Sequence, residues 1–278
     1  MKLSEMRRLL AERNIQLTKS LGQSFLHDGN QLQRIANAAH LESGDQVLEI
    51  GPGIGPLTEL LIHRAGRVVA IEKDARLVAV LKERFANVRN LELVHADALD
   101  YLRENRDWRD WKVVSNLPYS VASRILVELA QEREAPALLV VTLQLEVVQR
   151  ILAAAASENY GLLSVLIQFR YEPLDHFKIA ASCFFPEPEV DSACVILRRQ
   201  SEPLLPMAAE SIFREIVKQA FSQRRKMMFK LLKERWPLPL LEKAFSRAGL
   251  GTDIRAETVS LKQFVELARS LNNSGGTK

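Results

Sequence analysis

The sequence predicts an α/β protein: a parallel sheet with helices on both faces, followed by a smaller all-helical domain. Three observations lead there. Between residues 46 and 143, short apolar runs alternate with segments of helical period, the pattern of strands joined by right-handed crossovers. The first run ends in Gly51-Pro52-Gly53-Ile54-Gly55, where backbone can approach a ligand that side chains would obstruct. Beyond Ser201-Glu202-Pro203 the period turns helical to the end. At 278 residues the chain has room for about two domains. We place the boundary near 203, giving domains 1–203 and 204–278.

Taken in order, Lys2, Glu5, Arg7, Arg8, Glu12 and Arg13 mark a charged amphipathic helix without the apolar core of a secretory signal. A polar stretch over 18–28 precedes a helical segment at 30–40. Strands are predicted at 46–50, 67–71, 91–95, 112–115 and 137–143. Helical spacing at 57–64, and of Leu77, Val80, Leu81 and Phe85, fills two of the gaps. Two further strands, 161–170 and 192–197, are expected to extend the sheet edge on either side of the proline-bearing stretch 184–190. In the helical domain Phe213, Ile216, Val217, Ala220 and Phe221 form one apolar stripe, and Gly275 and Gly276 lie in a tail.

Composition excludes several classes. The longest strongly apolar stretch, 137–143, is far too short to span a membrane. Cys183 and Cys194 form no CxxC pair, which favours buried thiols and a reducing cytoplasm. The five histidines are scattered singly, so no metal site is assigned. Net charge is +4, yet residues 211–278 alone hold 14 Lys and Arg against 6 Asp and Glu, a net of +8, leaving −4 for the rest. A polyanion contact through the C-terminal part follows, unless those cations are simply a solvated helical surface.

Gly51, Glu72, Asp97 and Asn116 each sit just past a strand's carboxyl end, where ligands bind in such sheets. Glu72, placed to accept from ribose hydroxyls, fits either a nicotinamide or an S-adenosylmethionine cofactor. The third glycine separates them. A pyrophosphate loop wants G-x-G-x-x-G, but position 56 is Pro56 and the spacing is G-x-G-x-G after Glu49, which resembles the first motif of class I methyltransferases. Asp97-Ala98 is placed to accept from an adenine amino group. The tetrapeptide Asn116-Leu117-Pro118-Tyr119 suits activation of an exocyclic amine. Such a nitrogen is a poor nucleophile, and the Asn116 amide oxygen with a main-chain carbonyl near Leu117 or Pro118 can take up its N–H protons. Read more plainly, Leu-Pro-Tyr only ends a strand.

The ordered set of these motifs, with 22–26, Tyr160-Gly161-Leu162-Leu163-Ser164, 184–192, Gln223-Arg224-Arg225-Lys226 and Arg255-Ala256-Glu257, resembles the small-subunit ribosomal RNA adenine N6-dimethyltransferase family. That resemblance implies a Rossmann-like class I methyltransferase sheet and S-adenosylmethionine as cofactor. It implies dimethylation of two adjacent adenosines in the 3′-terminal hairpin loop of small-subunit rRNA. By similarity Ser24, Leu26, Gly51, Glu72, Asp97 and Asn116 line the cofactor site, with Gly53 and Ala98 beside them, and Tyr119 and Phe184 sandwich the flipped base. Ser24 stands where the family usually carries Asn. Phe184 has a competing role as edge packing, with Phe185 the expected core member of the pair. Arg224, Arg225, Lys226 and Lys230 are expected to hold rRNA phosphates. The implied partner is the immature small subunit, met by a monomeric cytoplasmic enzyme. Rival readings are a methyltransferase of another RNA site and a non-catalytic assembly factor.

Overall fold

The computed structural model describes residues 1–17, 23–223 and 225–272. The chain divides into two compact units, Met1–Val148 with Glu172–Arg199, and Gln149–Tyr171 with Gln200–Lys278.

In the first unit, helix α1 (Leu3–Glu12) is followed by the two-residue strand β1 (Phe25–Leu26) and by α2 (Gly29–Ala38), which is capped by the Asp28 carboxylate accepting from Gln31 N at 2.9 Å. Then come β2 (Gln46–Ile50), α3 (Thr58–Ile62), β3 (Arg67–Glu72), α4 (Ala75–Arg84), β4 (Leu91–His95), α5 (Ala98–Glu104), β5 (Trp111–Asn116), α6 (Ala122–Gln131), β6 (Leu138–Gln144) and α7 (Leu145–Leu152), whose second half, from Gln149, belongs to the other unit. Strands β7 (Tyr171–Ile179), β8 (Phe184–Phe185) and β9 (Ser192–Arg199) complete it. The main sheet has seven strands in the order β4-β3-β2-β5-β6-β9-β7. Neighbours from β4 to β6 are parallel and β9 runs antiparallel to β6.

The central strands are near-continuous aliphatic runs. Val47, Leu48, Val68, Ala70, Val113, Val114 and residues 139–141 are all at most 1 % exposed, as expected for strands covered on both faces. After β2 the chain moves outward to β3 and β4, then returns to the other side of β2 as β5. The order therefore switches between β2 and β5, and a crevice opens beyond their carboxyl ends. Gly51 and Asn116 stand there.

The expected strand at 161–170 is instead a helix, α8 (Leu162–Arg170), opened by Gly161 N donating to Ser164 Oγ at 3.0 Å. Its residues are buried almost all round, so its hydrophobic pattern has no one-sided period, and a buried helix of this kind resembles a buried strand. The edge strand is β7, immediately after it.

The second unit gathers α8, α9 (Met207–Ala220), α10 (Met228–Leu232), α11 (Leu238–Arg247) and α12 (Leu261–Asn272). Phe169 stacks on Phe213 with ring centroids 4.0 Å apart, Phe221 meets Phe264 at 5.9 Å, and the buried Arg170 guanidinium pairs with the half-buried Glu210 carboxylate at 2.7 Å. Of the predicted stripe, Phe213, Ile216, Val217 and Ala220 are buried and Phe221 half-buried. The chain passes between units at Arg199 and Gln200, close to the expected boundary, but Gln149–Tyr171 belongs with the helices. A single cut in sequence misses that excursion because α8 packs by its aromatic and aliphatic side chains, which local pattern does not assign to a partner.

Candidate active site

The glycine turn after β2 keeps its backbone close to two other segments. Gly51 and Gly53 have φ of +72° and +63°, a region that side chains disfavour. A Cβ on Gly51 would lie 2.9 Å from Pro118 Cγ, and one on Gly53 only 2.6 Å from the Phe25 ring. The turn is also pinned by hydrogen bonds: Gly51 N donates to Ile71 O at 2.9 Å and Gly53 N to Glu72 Oε2 at 3.1 Å.

Glu72, 8 % exposed, holds the neighbouring strand end together. Its Oε1 accepts from Lys73 N and Asp74 N, both at 2.9 Å. Burial raises the pKa of its carboxyl while the three main-chain donors pull the other way. Asp74 caps α4 by accepting from Arg76 N at 3.0 Å, and the Arg76 side chain draws its carboxyl down to about 2. Asp97 caps α5 through Leu99 N at 2.9 Å and pairs with Lys73 Nζ at 2.8 Å, a contact that lowers its pKa. Behind the turn Glu49 is 2 % exposed, and burial pushes its carboxyl up to about 8.

Asn116, at the end of β5, donates from Nδ2 to Ser24 O at 3.0 Å. Its Oδ1 is buried with no partner among the described residues. Leu117 N donates to Thr142 O at 3.2 Å and Pro118 O accepts from Val121 N at 3.1 Å, which holds the tetrapeptide against β6 and the start of α6. A cavity of about 230 Å³ lies among these groups, lined by Ser24, Gly51, Gly53, Glu72, Asp97, Ala98, Asn116, Leu117 and Pro118. Gln23, Phe25, Lys73, Leu99, Ser120 and Val121 line it as well. Of these six, Gln23, Phe25, Lys73 and Ser120 fall inside or beside the quoted motifs but received no role of their own, and Leu99 and Val121 come from helix starts that carry no motif.

The ribosomal RNA adenine dimethylase family model matches residues 14–273. The chain belongs to that family. It is 38 % identical over 270 residues to ribosomal RNA small subunit methyltransferase A of Geobacter metallireducens, covering 94 % of this chain and 98 % of that one. The protein of the same name from Moorella thermoacetica is 38 % identical over 277 residues, covering 95 % and 96 %. Among solved structures, the 23S rRNA methyltransferase ErmE is 30 % identical with a TM-score of 0.67, over 89 % of this chain and 99 % of that one. A dimethyladenosine transferase from Plasmodium falciparum, 24 % identical over 90 % and 98 % with a TM-score of 0.74, shares the fold. As a ribosomal RNA adenine dimethylase, the chain is an enzyme of the S-adenosylmethionine-dependent methyltransferase class.

Within this family frame, three expected residues stand outside the cavity wall. Leu26 is 1 % exposed and packs in the aliphatic core with Val114 and Ile179. Tyr119 shares a hydrogen bond of 2.6 Å between its hydroxyl and Ser192 Oγ. Phe184 is 2 % exposed and sits in the same core as Leu26, its partner across β1 and β8. The rings of Tyr119 and Phe184 meet edge-on, with centroids 6.5 Å apart and planes at 62°, rather than as two parallel faces. The core member of the aromatic pair is thus Phe184 and not Phe185, which is half-buried under the Arg7 guanidinium at 4.9 Å. In the second unit, Arg225, Lys226 and Lys230 are exposed, in the connection after α9 and on α10. Arg224 lies outside the described residues.

Proposed function

We propose that this enzyme uses S-adenosylmethionine to dimethylate N6 of two adjacent adenosines in the 3′-terminal hairpin loop of small-subunit rRNA. The observation that carries the amine chemistry is Asn116: a strand-end amide whose donor end is engaged by Ser24 O and whose acceptor end is buried without a partner.

The donor set fits the cofactor. Positive-φ glycines at 51 and 53 let the turn pack directly against Pro118 and Phe25, where a Cβ would collide, Glu72 and Asp97 supply acceptors for hydroxyl and amino groups, and all of them share one cavity. When bound, the cofactor supplies a methyl group on a sulfonium, already an activated electrophile. The protein's part is positioning. Asn116 Oδ1 and a main-chain carbonyl accept the two N–H groups of the adenine amine. Pro118 O already accepts from Val121 N, which makes Leu117 O the better candidate. A base sandwiched between Tyr119 and Phe184 requires their edge-on contact to open into two facing rings. Extrusion of an adenosine costs a few kcal/mol, least in a loop, and stacking worth ~1–3 kcal/mol per base offsets it.

Arg225, Lys226 and Lys230, with Arg224, hold rRNA phosphates and set register without reading bases. A monomer acting on immature subunits in the cytoplasm completes the proposal. The choice of subunit rests on the names of the relatives that are 38 % identical; likeness to a 23S rRNA methyltransferase supports a second reading, methylation in the large subunit. Methyl transfer to purified unmodified subunits, followed by nucleoside mapping, separates them. Paired N6,N6-dimethyladenosines near the 3′ end of small-subunit rRNA are expected, and methyl groups appearing only in large-subunit rRNA would reverse the choice.

A further inference from the structure

Ser24 decides which way round the Asn116 amide sits. A primary amide has a donor NH₂ and an acceptor oxygen of nearly equal size, so its hydrogen-bond partners select the orientation. A main-chain carbonyl only accepts. Ser24 O, 3.0 Å from Asn116 Nδ2, therefore draws the NH₂ group to itself and turns Oδ1 to the other side as the acceptor left without a partner. Ser24 is tied in place in turn. Its Oγ donates to Pro186 O at 2.7 Å, and the next residue pairs with Phe185 across β1 and β8.

We propose that Ser24 is a positioning residue that sets the polarity of Asn116, so that the site takes a base presenting N–H donors and disfavours one presenting a carbonyl at the same place. The proposal rests on the adenine-methylating reading above and goes beyond a place for Ser24 in the cofactor wall. The link runs from the 186 segment through the Ser24 hydroxyl and carbonyl to the amide, joining three stretches distant in sequence.

Ser24→Ala removes the tie to Pro186 and leaves the carbonyl on a looser backbone, whereas Ser24→Thr keeps the hydroxyl. Three quantities are read: the single-turnover methyl-transfer rate at saturating cofactor, the Kd for S-adenosylmethionine by calorimetry, and solvent exchange of the Asn116 side-chain NH₂ by NMR. For Ser24→Ala the saturating rate should fall about three- to tenfold, the worth of one hydrogen bond, by more than any weakening of Kd, and the NH₂ protons should exchange faster. Ser24→Thr should restore all three. An unchanged rate and exchange, or a weakened Kd with the saturating rate intact, overturns the proposal. If the unaltered protein methylates no rRNA, the functional reading falls, and the exchange measurement still decides whether Ser24 orients Asn116.

Discussion

Asn116, in the cavity wall, and Glu49, behind the glycine turn, show what burial does to a single polar group. The unpartnered Asn116 Oδ1 has lost water without gaining a protein donor, a state that costs about 1–3 kcal/mol and that an adenine amine would relieve. Asn116→Ala should lower the methyl-transfer rate at least about 100-fold, the scale of losing one preorganised polar group at a reacting centre, with cofactor affinity far less affected. Comparable losses in rate and affinity would assign Asn116 to cofactor binding alone. Glu49 carries a different signature. Its folded pKa is raised from 4.5 to about 8 by burial, so the folded state keeps a proton that the unfolded chain releases. The stabilisation is complete below about pH 4.5, declines by at most about 1.4 kcal/mol per pH unit, and is gone above about pH 8. Glu49→Gln should flatten that decline. Urea unfolding at pH 5 and pH 8 measures it, and parallel pH profiles for the two proteins would show that Glu49 does not titrate in this range. Both residues were visible as motif members, yet neither burial nor the direction of the amide could be read from residue type.

The glycine turn and the two-residue strands show how short elements shape the cavity. Gly53→Ala would force a side chain into positive φ and against Phe25 at 2.6 Å, a strain of about 1–3 kcal/mol. Lower resistance to urea together with weaker S-adenosylmethionine binding is expected; stability and affinity equal to the parent would mean that Phe25 moves aside freely. That Gly51 and Gly53 turn the chain at a strand end beside the cavity was legible from spacing. The close approach of Phe25 was not, because β1 is two residues long and acquires its place only by pairing with β8. The same pairing buries Phe184 opposite Leu26, which explains why two residues expected at the ligand lie in the core. Helix α8 failed for a related reason: a segment apolar on every side carries no period to read.

Across the whole molecule, charge is divided between a slightly acidic remainder and the C-terminal 211–278 with its net +8. Replacing Arg225 and Lys226 by Ala should reduce the slope of log affinity for small-subunit rRNA against log salt by about 2, roughly one per phosphate contact. Filter binding at several salt concentrations gives the slope, and an unaltered value would place the phosphate contacts elsewhere. The sequence by itself determined the parallel sheet, the glycine turn and the line of Gly51, Glu72, Asp97 and Asn116 at strand ends, because strand period and crossover handedness act locally and repeat. Only the tertiary structure decided that Gln149–Tyr171 joins the helical unit, that Phe184 is core, and that Ser24 O orients an amide 92 residues away. Those outcomes depend on which distant groups compete for the same space and the same hydrogen bond, and no local pattern encodes that competition.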